Sequence, residues 1–143
     1  MARGQISPPQ QQTLQILWAG MLGSVVVYGV VVAIMMQQGS VGEGTLGETE
    51  LWTMTGVFAA VSLSMIGATI FADKIFPVGD YVTFCILRWA LLEAVGVFGL
   101  VLFFLGAPVV VWAAFMGVGF LAIAMHYPGD TDARRFLEAA AKR

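Results

Sequence analysis

Apolar residues in this chain come in four long runs separated by short polar breaks. The first, Thr13 to Met36, carries no charge. At 1.5 Å per residue it is about 36 Å long, enough to cross about 30 Å of hydrocarbon with some tilt. It is too long for a signal-peptide core and lacks a small-x-small cleavage site, so an uncleaved anchor is expected. Leu51 to Ala72 is a second uncharged run. Tyr81 to Leu105 is a third, and it holds Arg88 and Glu93. Gly106-Ala107-Pro108 breaks it, and Val109 to Tyr127 follows as the fourth. The pattern predicts an all-α membrane bundle of four transmembrane helices, at about 13–36, 51–72, 81–105 and 109–127. Residues 1–12, with Pro8-Pro9 and a Gln run, are expected to form a flexible tail. Residues 128–143 form a short tail, with a helix of about three turns capped by Asp130 or Thr131.

The distribution of bases orients the spans. Arg3, Lys74, Arg134, Arg135, Lys142 and Arg143 all fall on one side of a four-span chain. The 37–50 loop and the 106–108 turn have none. The positive-inside rule therefore places both termini and the 73–80 turn in the cytoplasm. Trp18 and Trp89 then fall near the inner ends of their helices, Trp52 and Trp112 near the outer ends, where interfacial rings sit. Arg134 and Arg135 would lie at lipid headgroups.

Composition narrows the classes of function. The 143 residues are 59% hydrophobic and 11% charged, against about 25% charged in soluble domains. A multidomain enzyme and a disulfide scaffold are excluded, the latter because Cys85 is the single cysteine. A net charge of −2 without a long basic patch argues against nucleic acid as a partner. No P-loop, dinucleotide fingerprint or zinc signature is present, so no enzyme, cofactor or metal is expected. His126 is expected as an interfacial aromatic and Cys85 as a packing residue. Tyr28, in the middle of its span, should hydrogen-bond a neighbouring helix.

Small residues mark candidate packing faces. Gly56, Ala60, Ser64, Ala68 and Ala72 recur every fourth position of the second span and form one stripe. Such a stripe lets helix backbones approach closely. It serves either the chain's own bundle or a contact between protomers. Ala113 with Gly117, and Gly20 with Ser24, are shorter pairs. A weak repeat at an offset of 70 matches Ile16–Met35 to Ile86–Leu105 at seven of twenty positions. If it is a duplication, the protein is two hairpins in the same orientation. The register sets Gly23 opposite Glu93, so carboxylate chemistry belongs to the second half alone.

Glu93 carries the sharpest expectation. It lies about 18 Å into its helix, near mid-membrane. A charged side chain there costs about 2.5–3.5 kcal/mol on insertion scales, so it faces a partner or a cavity. Desolvation disfavours the ionised form. A neutral carboxyl that can ionise is what proton translocation requires. Arg88 is about 140° away around the same helix, too far for a direct pair within it. It can snorkel to the headgroups, or pair with Glu93 of another copy as structural glue. Ser62, Ser64 and Thr69, on the second span, are expected to be the only nearby hydroxyls. With Ala94 and Val95 after the carboxyl, a proton is expected rather than sodium, which needs several oxygen ligands.

Ile86-Leu87-Arg88-Trp89-Ala90-Leu91-Leu92-Glu93-Ala94-Val95-Gly96-Val97-Phe98-Gly99-Leu100 resembles the carboxylate helix of the rotary ATP synthase c subunit. That helix reads I-L-x-[aromatic]-A-L-x-E-A-x-G-x-F-x-L. The resemblance covers residues 86–105 and implies that Glu93 binds the transported ion in an oligomer. The chain departs from the family in its second span, where small residues recur every fourth position instead of every second. It also has Arg88 where the family has a small or apolar residue. The expectation is thus an oligomeric protein of the bilayer, in a bacterial inner membrane, that binds or conducts protons at Glu93. Two alternatives are a non-catalytic accessory subunit of a larger membrane complex, held by Glu93 and Arg88 as polar contacts, and a small-solute transporter.

Overall fold

The computed structural model describes residues 8–39, 46–71 and 80–129, together with Ala133 and Phe136. These residues form four helices: α1 Pro8–Gln37, α2 Glu48–Ile70, α3 Tyr81–Phe104 and α4 Val109–Met125. The first three are long and apolar enough to cross a membrane. At 17 residues α4 is equally apolar but shorter, about 26 Å. Pro108 begins it and His126, followed by Tyr127-Pro128, ends it, which keeps it within the expected 109–127 span.

Local chemistry sets the helix ends. α1 starts at Pro8 instead of Thr13, so residues 8–12 of the expected N-terminal tail are helical. Proline suits a first turn, where its fixed φ helps and its missing N–H costs nothing. α2 starts at Glu48, ahead of its apolar run. Glu48 and Glu50 sit in its first turn, where carboxylates oppose the helix dipole. The Glu50 carboxylate also accepts from the Gly47 N–H at 3.2 Å. Asp80 caps α3, accepting from the Thr83 N–H at 3.2 Å. Beyond Leu105 the chain turns at Gly106, with φ 96°. The N–H groups of Gly106 and Ala107 bond the carbonyls of Phe103 and Leu102, which ends α3 with its carbonyls satisfied. The 72–79 turn with Lys74, and Arg134, Arg135, Lys142 and Arg143, on which the expected orientation rests, lie outside the described residues.

α3 is the central helix, packed against each of the other three. Its contact with α4 is the most extensive, and glycine makes it possible. A Cβ added at Gly99 would lie 2.6 Å from the Phe115 Cβ. One at Gly119 would lie 3.2 Å from the Leu92 carbonyl oxygen and from the Gly96 nitrogen. α1 packs in the angle between α3 and α4. α2 lies mainly on α3, with Phe58 stacked on Phe98 at 4.8 Å between ring centres. α1 and α2 barely meet. The two halves therefore pack differently, although the offset of 70 would make them equivalent hairpins.

Side-chain pairs fix the directions. Trp18 of α1 and Trp89 of α3 both reach the C-terminal end of α4, so α1 and α3 run together and α4 runs against them. Phe136 joins that end, packing on Tyr81 and Phe84 with ring centres 5.6 and 4.9 Å away. The outer surface is apolar, with Val26, Val30, Leu63, Val110 and Leu121 more than half exposed. A soluble domain would bury them; a lipid-facing wall presents them.

Candidate functional site

Glu93 sits at the middle of α3, on the side that meets α1. Ser24 and Tyr28 are one turn apart on α1 and point to the same side, as residues four apart must. The Ser24 hydroxyl lies 2.5 Å from Glu93 Oε1 and the Tyr28 hydroxyl donates to the same oxygen at 3.0 Å. Ser24 Oγ is also 2.7 Å from the carbonyl oxygen of Met21. One carboxyl, two hydroxyls and one backbone carbonyl therefore form a compact oxygen cluster between two long apolar helices. Cross-helix hydrogen bonds of this kind are the usual way a polar group is accommodated in hydrocarbon. Glu93 is half-buried, as are Ser24 and Tyr28. The bond from Tyr28 is the neighbouring-helix contact expected of it.

The residues expected beside Glu93 lie elsewhere. Arg88 is half-buried on α3 with its guanidinium carbon 5.9 Å from the centre of the Phe84 ring. It makes no ion pair with Glu93 within the chain, because the carboxyl's partners are the two hydroxyls of α1. Ser62 is buried on α2 against α3 and α4, where it lines an apolar groove of about 230 Å³ with Leu63, Val95 and Phe115. Its Oγ has no hydrogen-bond partner among the described residues. Ser64 is exposed and bonds back to the Ala60 carbonyl at 2.9 Å. Thr69 is buried and bonds the Ile66 carbonyl. None of the three reaches Glu93. The hydroxyl partners come from the first span, because α1 and not α2 shares the carboxyl's side of α3. The available signal was that Ser24 and Tyr28 are the only hydroxyls of Ile16–Met36, four apart, at the depth the offset register assigns to Glu93.

The small-residue stripe also lies away from the core. Gly56, Ala60 and Ser64 are exposed and Ala68 is half-exposed, while Ala72 falls outside the described residues. No atom lies within 4 Å of a Cβ built at Gly56. The same is true of Gly117 and of Gly20, from the shorter pairs. The chain's own tight contact uses Gly96, Gly99 and Gly119 instead.

A second polar group closes the end of the bundle below Glu93. The Trp18 indole N–H donates to the Ile123 carbonyl and the Trp89 indole N–H to the His126 carbonyl, both at 3.0 Å. His126 Nδ1 lies 2.6 Å from the Ala122 carbonyl oxygen. The Gln15 amide donates to the Tyr127 hydroxyl at 2.8 Å, and Tyr127 meets Trp18 edge-on at 5.0 Å. These bonds satisfy carbonyls that a helix C-terminus leaves without intrahelical partners. They fix α1 and α3 to α4, and with them the height at which Ser24 meets Glu93. Cys85 is buried in the same core.

Among the described residues no group of His, Cys, Asp and Glu could hold a metal ion. No family model, no curated protein and no solved structure matches the chain.

Proposed function

We propose that the chain is an oligomeric bilayer protein that binds or conducts protons at Glu93, in the manner its third span's resemblance to the c subunit implies. The observation that carries this reading is the carboxyl's company: two hydroxyls and, among the described residues, no cation. Within the chain Arg88 lies over Phe84 and not against Glu93. Oxygens 2.5, 2.7 and 3.0 Å apart are at hydrogen-bond separations. Ligands about 2.4 Å from a hard cation would stand about 3.4 Å apart at right angles. The spacing therefore favours a proton over sodium, for a different reason than the lack of hydroxyls expected from the sequence. The protein is not an enzyme in this reading, needs no cofactor, and works in a bacterial inner membrane with both termini in the cytoplasm. The exposed small-residue face of α2 supports association with further copies or with other subunits of a larger complex.

A carbodiimide modifies protonated carboxyls in apolar surroundings. It should label Glu93 selectively, with labelling falling as pH rises. Glu93→Gln should abolish both labelling and proton flux in liposomes while the fold persists, because Gln is neutral and nearly the same shape. Absence of labelling at every pH, with loss of assembly in Glu93→Gln, would leave Glu93 as polar glue in an accessory subunit.

A further inference from the structure

Three close oxygen pairs meet in the Glu93 cluster: Ser24 Oγ with Glu93 Oε1, Ser24 Oγ with the Met21 carbonyl, and Tyr28 OH with Glu93 Oε1. Each needs a proton between its oxygens to be attractive. A hydroxyl has one to give. Ser24 and Tyr28 supply two, and the Met21 carbonyl supplies none. A protonated carboxyl supplies a third, whereas with an ionised one the single Ser24 proton is shared between Glu93 and the Met21 carbonyl.

The proton of Ser24 can be placed by comparison within the chain. Thr13, Thr53, Thr55, Ser64 and Thr69 all donate to the carbonyl three or four residues before them. This back-bonding is the ordinary resting state of a helical hydroxyl. Ser24 stands in the same relation to Met21 at 2.7 Å. Its oxygen is then left as an acceptor, 2.5 Å from Glu93 Oε1. The ordered chain is Glu93 O–H to Ser24 O–H to the Met21 carbonyl, with Tyr28 donating to Glu93. In the ionised state the Ser24 hydroxyl is the only donor for two acceptors, Glu93 Oε1 and the Met21 carbonyl.

We propose that Ser24 is the positioning residue of this site, its hydroxyl accepting the proton of neutral Glu93 and turning from the Met21 carbonyl to the carboxylate when that proton leaves. The inference rests on the proton-binding reading of Glu93 and adds the group that serves both of its states. On release, the Oε1–H bond breaks, its electron pair stays on the carboxylate, and the proton passes to a water molecule. The Ser24 O–H then rotates to donate to Oε1. Met21 loses only a second bond, because an α-helical carbonyl keeps the N–H four residues on. No element needs to move. Among the described residues, Tyr28 faces Glu93 from α1, α4 has no titratable residue, α2 carries Glu48 and Glu50 in its first turn, and Arg88 lies over Phe84.

The test is infrared spectroscopy of the full chain in liposomes, with proton flux measured on the same samples. The band of interest is the carboxylic C=O stretch that Glu93→Gln removes. The native protein should show it at neutral pH, at the position of a hydrogen-bonded carboxyl. Ser24→Ala should move the band and slow proton release by about tenfold, the worth of one bond to a charged group. Ser24→Thr should restore both, since its hydroxyl can take the same two positions. A native band that is carboxylate alone at neutral pH would overturn the inference. So would a Ser24→Ala protein with the native band and native release. In the second case, flux still lost in Glu93→Gln would keep the proton-binding reading and remove only Ser24. Flux unaffected by Glu93→Gln would end both.

Discussion

At the scale of single residues, satisfaction of polar groups separates Glu93 from Ser62. Both are polar side chains well inside long apolar helices. Glu93 has hydroxyl partners, whereas the buried Ser62 Oγ has none among the described residues. An unsatisfied buried hydroxyl costs about 1–3 kcal/mol. Ser62→Ala should therefore leave the stability in detergent unchanged or raise it by about 1 kcal/mol, measured by reversible unfolding. A loss of stability would mean that Ser62 has a partner in the assembled protein. Tyr28→Phe removes a donor from a carboxyl without changing shape. It should lower stability by about 0.5–1.5 kcal/mol while leaving Glu93 reactive to carbodiimide. The importance of Glu93 was legible in the sequence, because a carboxyl within an apolar run must be accommodated. Its partners were not, because hydropathy says how deep a residue lies and nothing about which neighbour shares its face. The sequence pointed to Ser62 and Ser64, while Ser24 stood out only as half of a small-residue pair with Gly20.

The same limit applies to whole helices. The spacing of Gly56, Ala60, Ser64 and Ala68 announces a close contact, but among the described residues Gly56, Ala60 and Ser64 are exposed. The glycines that do bring backbones together, Gly96, Gly99 and Gly119, follow no four-residue rule on one helix; they interlock across two. Gly99→Ala should destabilise the bundle by about 1–3 kcal/mol, since its methyl would overlap Phe115. Gly56→Ala and Gly117→Ala, where a methyl meets nothing, should change stability little. Equal losses at all three would show that helix propensity, and not close packing, sets the cost. Replacing Ala60 by Leu should leave the monomer's unfolding unaltered and reduce its assembly, read by size in mild detergent. An effect on unfolding instead would return the stripe to the chain's own core.

For the molecule as a whole, the number and order of helices followed from the hydrophobic runs, because bilayer thickness fixes how long an apolar helix must be. Which helices touch did not. Consecutive helices joined by a short turn are expected to pair, as α3 and α4 do. The separation of α1 from α2 has a consequence for how the chain is made. The first two helices leave the ribosome as a hairpin with little to hold it closed. α1 must wait in the bilayer for α3, whose end is 67 residues further along the chain than its own. At about 5–20 residues per second that interval is about 3–13 s. Ser24 and Tyr28 are therefore already in place when Glu93 reaches the membrane. The newly made carboxyl can be drawn out of lipid by hydroxyls that preceded it, so the order of synthesis itself lowers the cost of inserting the one acidic residue in the third helix.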